Sequence, residues 1–253
     1  MFSHTAQKIS LFFCAFFVSS TYPATADTAA AGNSCVECHR STAGVSYLKH
    51  DFADWEHSVH ANAGVRCEAC HGGNPAAPDK AQAHTGLKPS TDPASPVYFN
   101  RIPATCGECH QAEYKAFQKS AHFKELERSG RGPNCVTCHG SMANHILSPR
   151  DLETSCSLCH QKPTQAAATM LSLQQAASSV KRLEVALAQA KNRHVSVAPQ
   201  EQTYRELALL EEHARQDWHT FKMADVLKTS HEIAQRATNA VNEVHLKEQQ
   251  QKP

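Results

Sequence analysis

The sequence predicts a mainly α protein with extensive irregular loops: a compact core rich in Cys and His, followed by a long C-terminal helical hairpin. Three observations predict this. A Cys-x-x-Cys-His pentad occurs five times between residues 35 and 160. The segment between the second and third pentads carries Pro75, Pro78, Pro89, Pro93, Pro96 and Pro103, which reads as irregular loop. After His160, apolar residues recur at helical spacing almost to the end of the chain.

The first stretch reads as an export signal. Lys8 supplies a positive charge, Ile9 to Val18 is a short apolar run, and Ala24-Thr25-Ala26 suits cleavage after a small residue. This gives a signal peptide at residues 1–26 and a mature chain from Asp27, located in the periplasm. The run is too short for a comfortable membrane span, so an uncleaved anchor is the weaker reading. Cys14 lies inside this run and is taken as filler.

The pentads are Cys35…Cys38-His39, Cys67…Cys70-His71, Cys106…Cys109-His110, Cys135…Cys138-His139 and Cys156…Cys159-His160. This spacing is the attachment signature of c-type haem. Two thiols add across the haem vinyl groups, and the adjacent imidazole is placed to hold the iron from one face. A shuffled chain of this composition would give about 0.03 matches. Zinc knuckles would pair Cys-x-x-Cys units without a histidine after each, and a thioredoxin-like dithiol would appear once, near a βαβ pattern. The expectation is five covalently attached haem c groups in a core spanning residues 27–163. At roughly 25 residues per motif, independent domains around each group are excluded, and the haems must lie near one another.

Within the core a unit repeats. Trp55-Glu56-His57-Ser58-Val59-His60 lies between the first and second pentads, and Phe117-Gln118-Lys119-Ser120-Ala121-His122 between the third and fourth. Each unit is aromatic-x-x-Ser-x-His, then a pentad followed by Gly72 or Gly140, then a further histidine, His84 or His145. Lone histidines are usually surface groups or satisfied core groups, but a repeated register makes His60, His122, His145 and His84 candidate second iron ligands. His50, His57, His213 and His231 are spares.

The tail, residues 164–253, shows one stripe through Met170, Leu173, Ala177, Val180, Leu183, Leu187 and Ala190. A second runs through Tyr204, Leu207, Ala214, Trp218, Phe221, Leu227, Ala234, Ala237, Val241 and Val244. Two long helices, 165–193 and 200–247, broken near Val195 to Pro199, would form an antiparallel hairpin. Its stripe exceeds what a hairpin can bury, so it covers the core or forms a homo-oligomer; a plain coiled-coil dimerisation arm is the competing reading.

Basic and acidic side chains nearly balance, 25 against 24. Haem propionates would add roughly two negative charges per group. With no dense basic stripe, nucleic acid is not a predicted partner. Redox proteins with a positive rim are.

The repeat of aromatic-x-x-Ser-x-His followed by Cys-x-x-Cys-His-Gly resembles the haem core of a multihaem cytochrome c superfamily. That superfamily includes ammonia-forming pentahaem nitrite reductase, hydroxylamine oxidoreductase and related octahaem enzymes. Trp218-His219 leading into Ala224-Asp225-Val226-Leu227 is similar to their late helix, and the resemblance implies that His219 is a further distal ligand. The chain departs from the nitrite reductases in having no Cys-x-x-Cys-Lys motif and in being much shorter. The octahaem enzymes carry a tyrosine linked to their active haem, a role that spacing alone does not assign to Tyr204.

The reading is therefore an electron carrier with two imidazoles on each iron. It would connect a quinol-oxidising membrane cytochrome to a terminal reductase or an outer-membrane conduit in anaerobic respiration. The alternative is a small oxidoreductase acting on nitrogen or sulfur oxyanions at one five-coordinate haem, with Arg66, Arg131, Lys124 or Tyr114 beside it.

Overall fold

The computed structural model describes residues 32–41, 52–162 and 164–251. The proposed signal peptide and His50 lie outside the described residues. Among those described there are thirteen α-helices and no strand. No helix among them is long and apolar enough to cross a membrane.

Ten short helices carry the core: α1 Ser34–Ser41, α2 Phe52–Glu56, α3 Val59–Asn62, α4 Cys67–His71, α5 Lys80–Ala83, α6 Ile102–Gly107, α7 Gln111–Gln118, α8 Ala121–Ser129, α9 Cys135–His139 and α10 Pro149–Ser157. Turns connect them, and the proline-rich stretch is turn-built apart from α5. Few apolar side chains are buried here; Val36 and Phe52 form one small cluster with Trp55 and Cys67 packed against it. Polar caps do much of the local ordering. Asn33 accepts from Val36 N, Asn134 from Thr137 N and Ser148 from Asp151 N, each satisfying an otherwise orphaned helix donor.

The tail differs from the expected hairpin. It forms three helices: α11 Ala166–Asn192, α12 Ala198–Asp217 and α13 Met223–Gln250. Contacts at both ends fix the directions. Thr169 Oγ1 meets Met223 O near the start of α11 and α13, and Arg193 pairs with Glu248 near their ends. Hence α11 and α13 run parallel, with α12 antiparallel to both. The buried faces bring Leu183 and Leu187 of α11, Leu207 of α12, and Ile233, Ala237 and Val244 of α13 into one core. The stripe too large for a hairpin is thus largely consumed by a third helix.

The first break is the predicted one, and its physics is plain. His194 takes φ 59°, His194 N donates to Lys191 O, and Val195 N donates to Ala190 O. That is a Schellman end, with Val195 and Ala190 both buried, and Pro199 then opens α12. The second break falls inside the helix expected at 200–247. Trp218–Thr220 tightens into a 3-10 turn and Phe221 adopts φ 58°. No glycine or proline marks the spot. The turn is held from outside: the Phe221 ring packs 4.3 Å from His122 and 6.3 Å from Phe117, both in the core.

Candidate haem-binding core

Each pentad is a single helical turn in which the histidine closes on the first cysteine. His110 N donates to Cys106 O and His160 N to Cys156 O, both at 2.9 Å. In α4 and α9 the pentad is the whole helix, and Gly72 (φ 75°) and Gly140 (φ 80°) end it. Their φ/ψ pairs lie in a region open to glycine, which explains why the repeated unit reads Cys-x-x-Cys-His-Gly. In α6 and α10 the pentad instead ends a longer helix, and the chain turns away through His110 or His160.

The repeated serine is a helix cap. Ser58 Oγ accepts from Ala61 N at 3.1 Å and Ser120 Oγ from Phe123 N at 3.0 Å. The two serines are 3% and 1% exposed. Each cap fixes the first turn of its helix, two residues before His60 or His122. The aromatic partners hold the approach: Trp55 Nε1 donates to Val65 O, and Phe117 packs on Phe123 and Phe221.

Four of these histidines face four pentad histidines. Ring centres are 6.3 Å apart for His39 and His84, 6.1 Å for His60 and His110, 5.9 Å for His122 and His160, and 6.3 Å for His139 and His219. Two imidazoles trans on one metal, with metal–nitrogen bonds of about 2.0–2.1 Å as for a first-row ion, have centres about 6.3 Å apart. Direct ring packing would bring them closer, as for His122 and Phe221. His71 ends α4, half-buried. His145 is exposed; its Nδ1 donates to Ala143 O, and its own carbonyl accepts from His139 Nδ1 at 2.9 Å. Among the described residues, the structure does not set the His145 ring opposite a pentad histidine. His57, His213 and His231 are exposed.

Burial pushes the imidazoles of His122 and His219 below their ordinary range, with the neighbouring His160 and His139 adding to the effect. Both shifts favour the neutral ring, the form that keeps a lone pair for a metal.

None of the ten pentad cysteines is joined in a disulfide. Burial raises the Cys67 thiol to about 11, with Cys35 nearby contributing. Burial raises Cys70 as well, with Cys106 and Cys109 beside it. Cys135 donates to Cys106, which lowers Cys106 and strongly raises Cys135. Cys138 is raised by burial, then by Cys156. Helix packing agrees: α1 meets α4, and α6 meets α9. Asn33 Nδ2 donating to Glu68 also ties the first motif to the second.

Among the described residues no group of three or more His, Cys, Asp or Glu could hold a bare metal ion. The donors come as a thiol pair and a facing pair of imidazoles. That set suits an iron whose other four ligands belong to a porphyrin, and does not suit four-coordinate zinc. The residues fit haem.

A family model described as cytochrome c554 and c-prime matches residues 18–72 and 105–134. Over 126 residues, half of this chain, the sequence is 28% identical to the C-type polyheme cytochrome OmcC of Geobacter sulfurreducens. The chain is similar to multihaem c-type cytochromes. Its matched part spans 14% of that relative's length. The family segments include the first three pentads and stop just before Cys135. No solved structure matches.

Sequence reasoning placed the pentads and the repeated histidines near one another but did not pair them. It missed Asn144 and Phe221, which touch His60 and His122. Phe221 belonged to the tail stripe and carried no signal for the core. Of the groups considered for an oxyanion site, Lys124 and Arg131 are exposed, Arg66 is half-buried before α4, and Tyr114 packs on Phe123.

Proposed function

We propose that the protein is an exported pentahaem electron-transfer cytochrome whose four paired positions leave no room for substrate. The observation that carries this is the four facing imidazole pairs at 5.9–6.3 Å. In this reading Cys35 and Cys38, Cys67 and Cys70, Cys106 and Cys109, Cys135 and Cys138, and Cys156 and Cys159 attach five groups. Imidazoles pair as His39 with His84, His110 with His60, His139 with His219, and His160 with His122, while His71 holds the remaining iron. When bound, haem supplies a one-electron redox centre.

The chain's own work is positional. Each facing pair of imidazoles would hold an iron from both sides and so keep substrate away from it. Consecutive attachment sites adjoin one another in chain order, which favours one continuous series over scattered sites. Periplasmic location, removal of residues 1–26, and exchange with a quinol-oxidising membrane cytochrome and a terminal reductase or outer-membrane conduit complete the proposal. Kinship with nitrite reductase and hydroxylamine oxidoreductase rests on the repeated Ser-x-His and pentad units.

Two measurements on the purified, exported protein test this. Its mass should equal the chain from Asp27 plus five haems, and its paramagnetic spectrum should be wholly low-spin. A high-spin component that binds cyanide, nitrite or hydroxylamine would overturn the carrier reading in favour of an oxidoreductase.

A further inference from the structure

The loop that follows the fourth pentad reaches a histidine 84 residues earlier in the chain. Asn144 Nδ2 donates to Gly140 O at 2.7 Å. A carbonyl only accepts, so this contact fixes which end of the amide is nitrogen. Asn144 Oδ1 must then be the end that lies 2.7 Å from His60 Nδ1. An amide oxygen cannot donate, so Nδ1 carries the proton and Nε2 of the neutral ring keeps the lone pair. The His60 ring is the one that stands 6.1 Å from His110.

We infer that Asn144 is a positioning residue that fixes the His60 tautomer and makes it a stronger donor than His122 or His219. This rests on the paired-imidazole reading above. A hydrogen bond accepted from the far ring nitrogen raises ligand basicity and orients the ring. His122 and His219 lack an equal partner. His219 Nδ1 meets the Gln216 carbonyl at 3.3 Å, and His122 Nδ1 is buried without a hydrogen bond among the described residues. A more basic imidazole stabilises oxidised iron, so the His60–His110 position becomes the low-potential one of these three. The same six-residue loop also serves the next position, because the His145 carbonyl accepts from His139 Nδ1.

The test uses the full-length, haem-loaded protein and redox titration followed by paramagnetic resonance. Asn144→Leu removes the acceptor. It should shift one low-spin component about tenfold toward the reduced form at fixed applied potential, which is about 59 mV for one electron. Asn144→Asp substitutes a stronger acceptor and should move the same component toward the oxidised form. Both variants lose the donation to Gly140 O, so opposite signs isolate the His60 contact from any loosening of the loop. If Asn144→Leu does not accumulate, Asn144→Asp alone must still move one component toward oxidised. Unmoved components, or shifts of one sign in both variants, with every haem low-spin, would overturn the role of Asn144 and leave the carrier reading standing. A high-spin component in the unsubstituted protein would instead remove the carrier reading itself.

Discussion

Ser58 and Ser120 show how a single residue can fix the backbone of a histidine proposed as a ligand. A buried hydroxyl caps the helix, and the histidine two positions on inherits a fixed backbone. Ser120→Ala should cost about 0.5–2 kcal/mol, read as a lower urea midpoint, and should raise the share of high-spin haem by loosening His122. An unchanged spin state would mean that the cap serves the helix alone. The far nitrogen of each distal ring makes a second prediction. Because His122 Nδ1 is buried without a partner among the described residues and His60 Nδ1 has Asn144, the two proposed irons should differ in potential. The component lost in His122→Ala should titrate above the one lost in His60→Ala; the reverse order would remove hydrogen bonding as the controlling difference. The positions of these histidines were legible in the sequence because the unit repeats. Their partners were not, since pairing depends on how 60 meets 110 and 122 meets 160 across segments that share no local pattern. His145 looked equivalent to His84 in the repeat, yet its backbone carbonyl, not its ring, meets a pentad histidine.

Among the elements, the pentad turns and their glycine ends could be read directly, because spacing and φ requirements are local. The tail was read correctly as helical and its first break was foreseen through Pro199. The second break was not, because it needs no breaker. Asp217 to Lys222 bends where Phe221 finds His122 and Phe117, a tertiary cause that overrides propensity. The extra bend brings α13 beside α11 and buries Leu183 completely, at 0% exposure. Leu183→Ala should therefore lower stability by about 2–5 kcal/mol in chemical denaturation followed by helical circular dichroism. A loss below about 0.5 kcal/mol, the range of ordinary surface substitutions, would show that α11 and α13 do not pack as described.

Across the whole molecule, core and bundle are organised by different forces. The bundle closes on its own apolar side chains, whereas the core buries few of them and depends on the groups its cysteines would hold. The two meet where α10 packs on α11 and α7 on α12, and at the turn where His219 faces His139 and Phe221 covers His122. In the proposed ligation, that junction makes the fourth position depend on the bundle: His219 keeps its place only while α12 and α13 hold the turn between them. In the haem-loaded protein, loss of helical signal on adding denaturant should coincide with the appearance of high-spin haem at one position. Leu183→Ala, which lies far from any iron ligand in the sequence, should move both transitions to lower denaturant by the same amount. His219→Ala should produce the high-spin signal without denaturant while leaving the helical transition nearly in place. If Leu183→Ala shifts the helical transition and leaves the spin-state transition where it was, the fourth iron does not take its second imidazole from the bundle, and the turn at 218–221 only rests against the core.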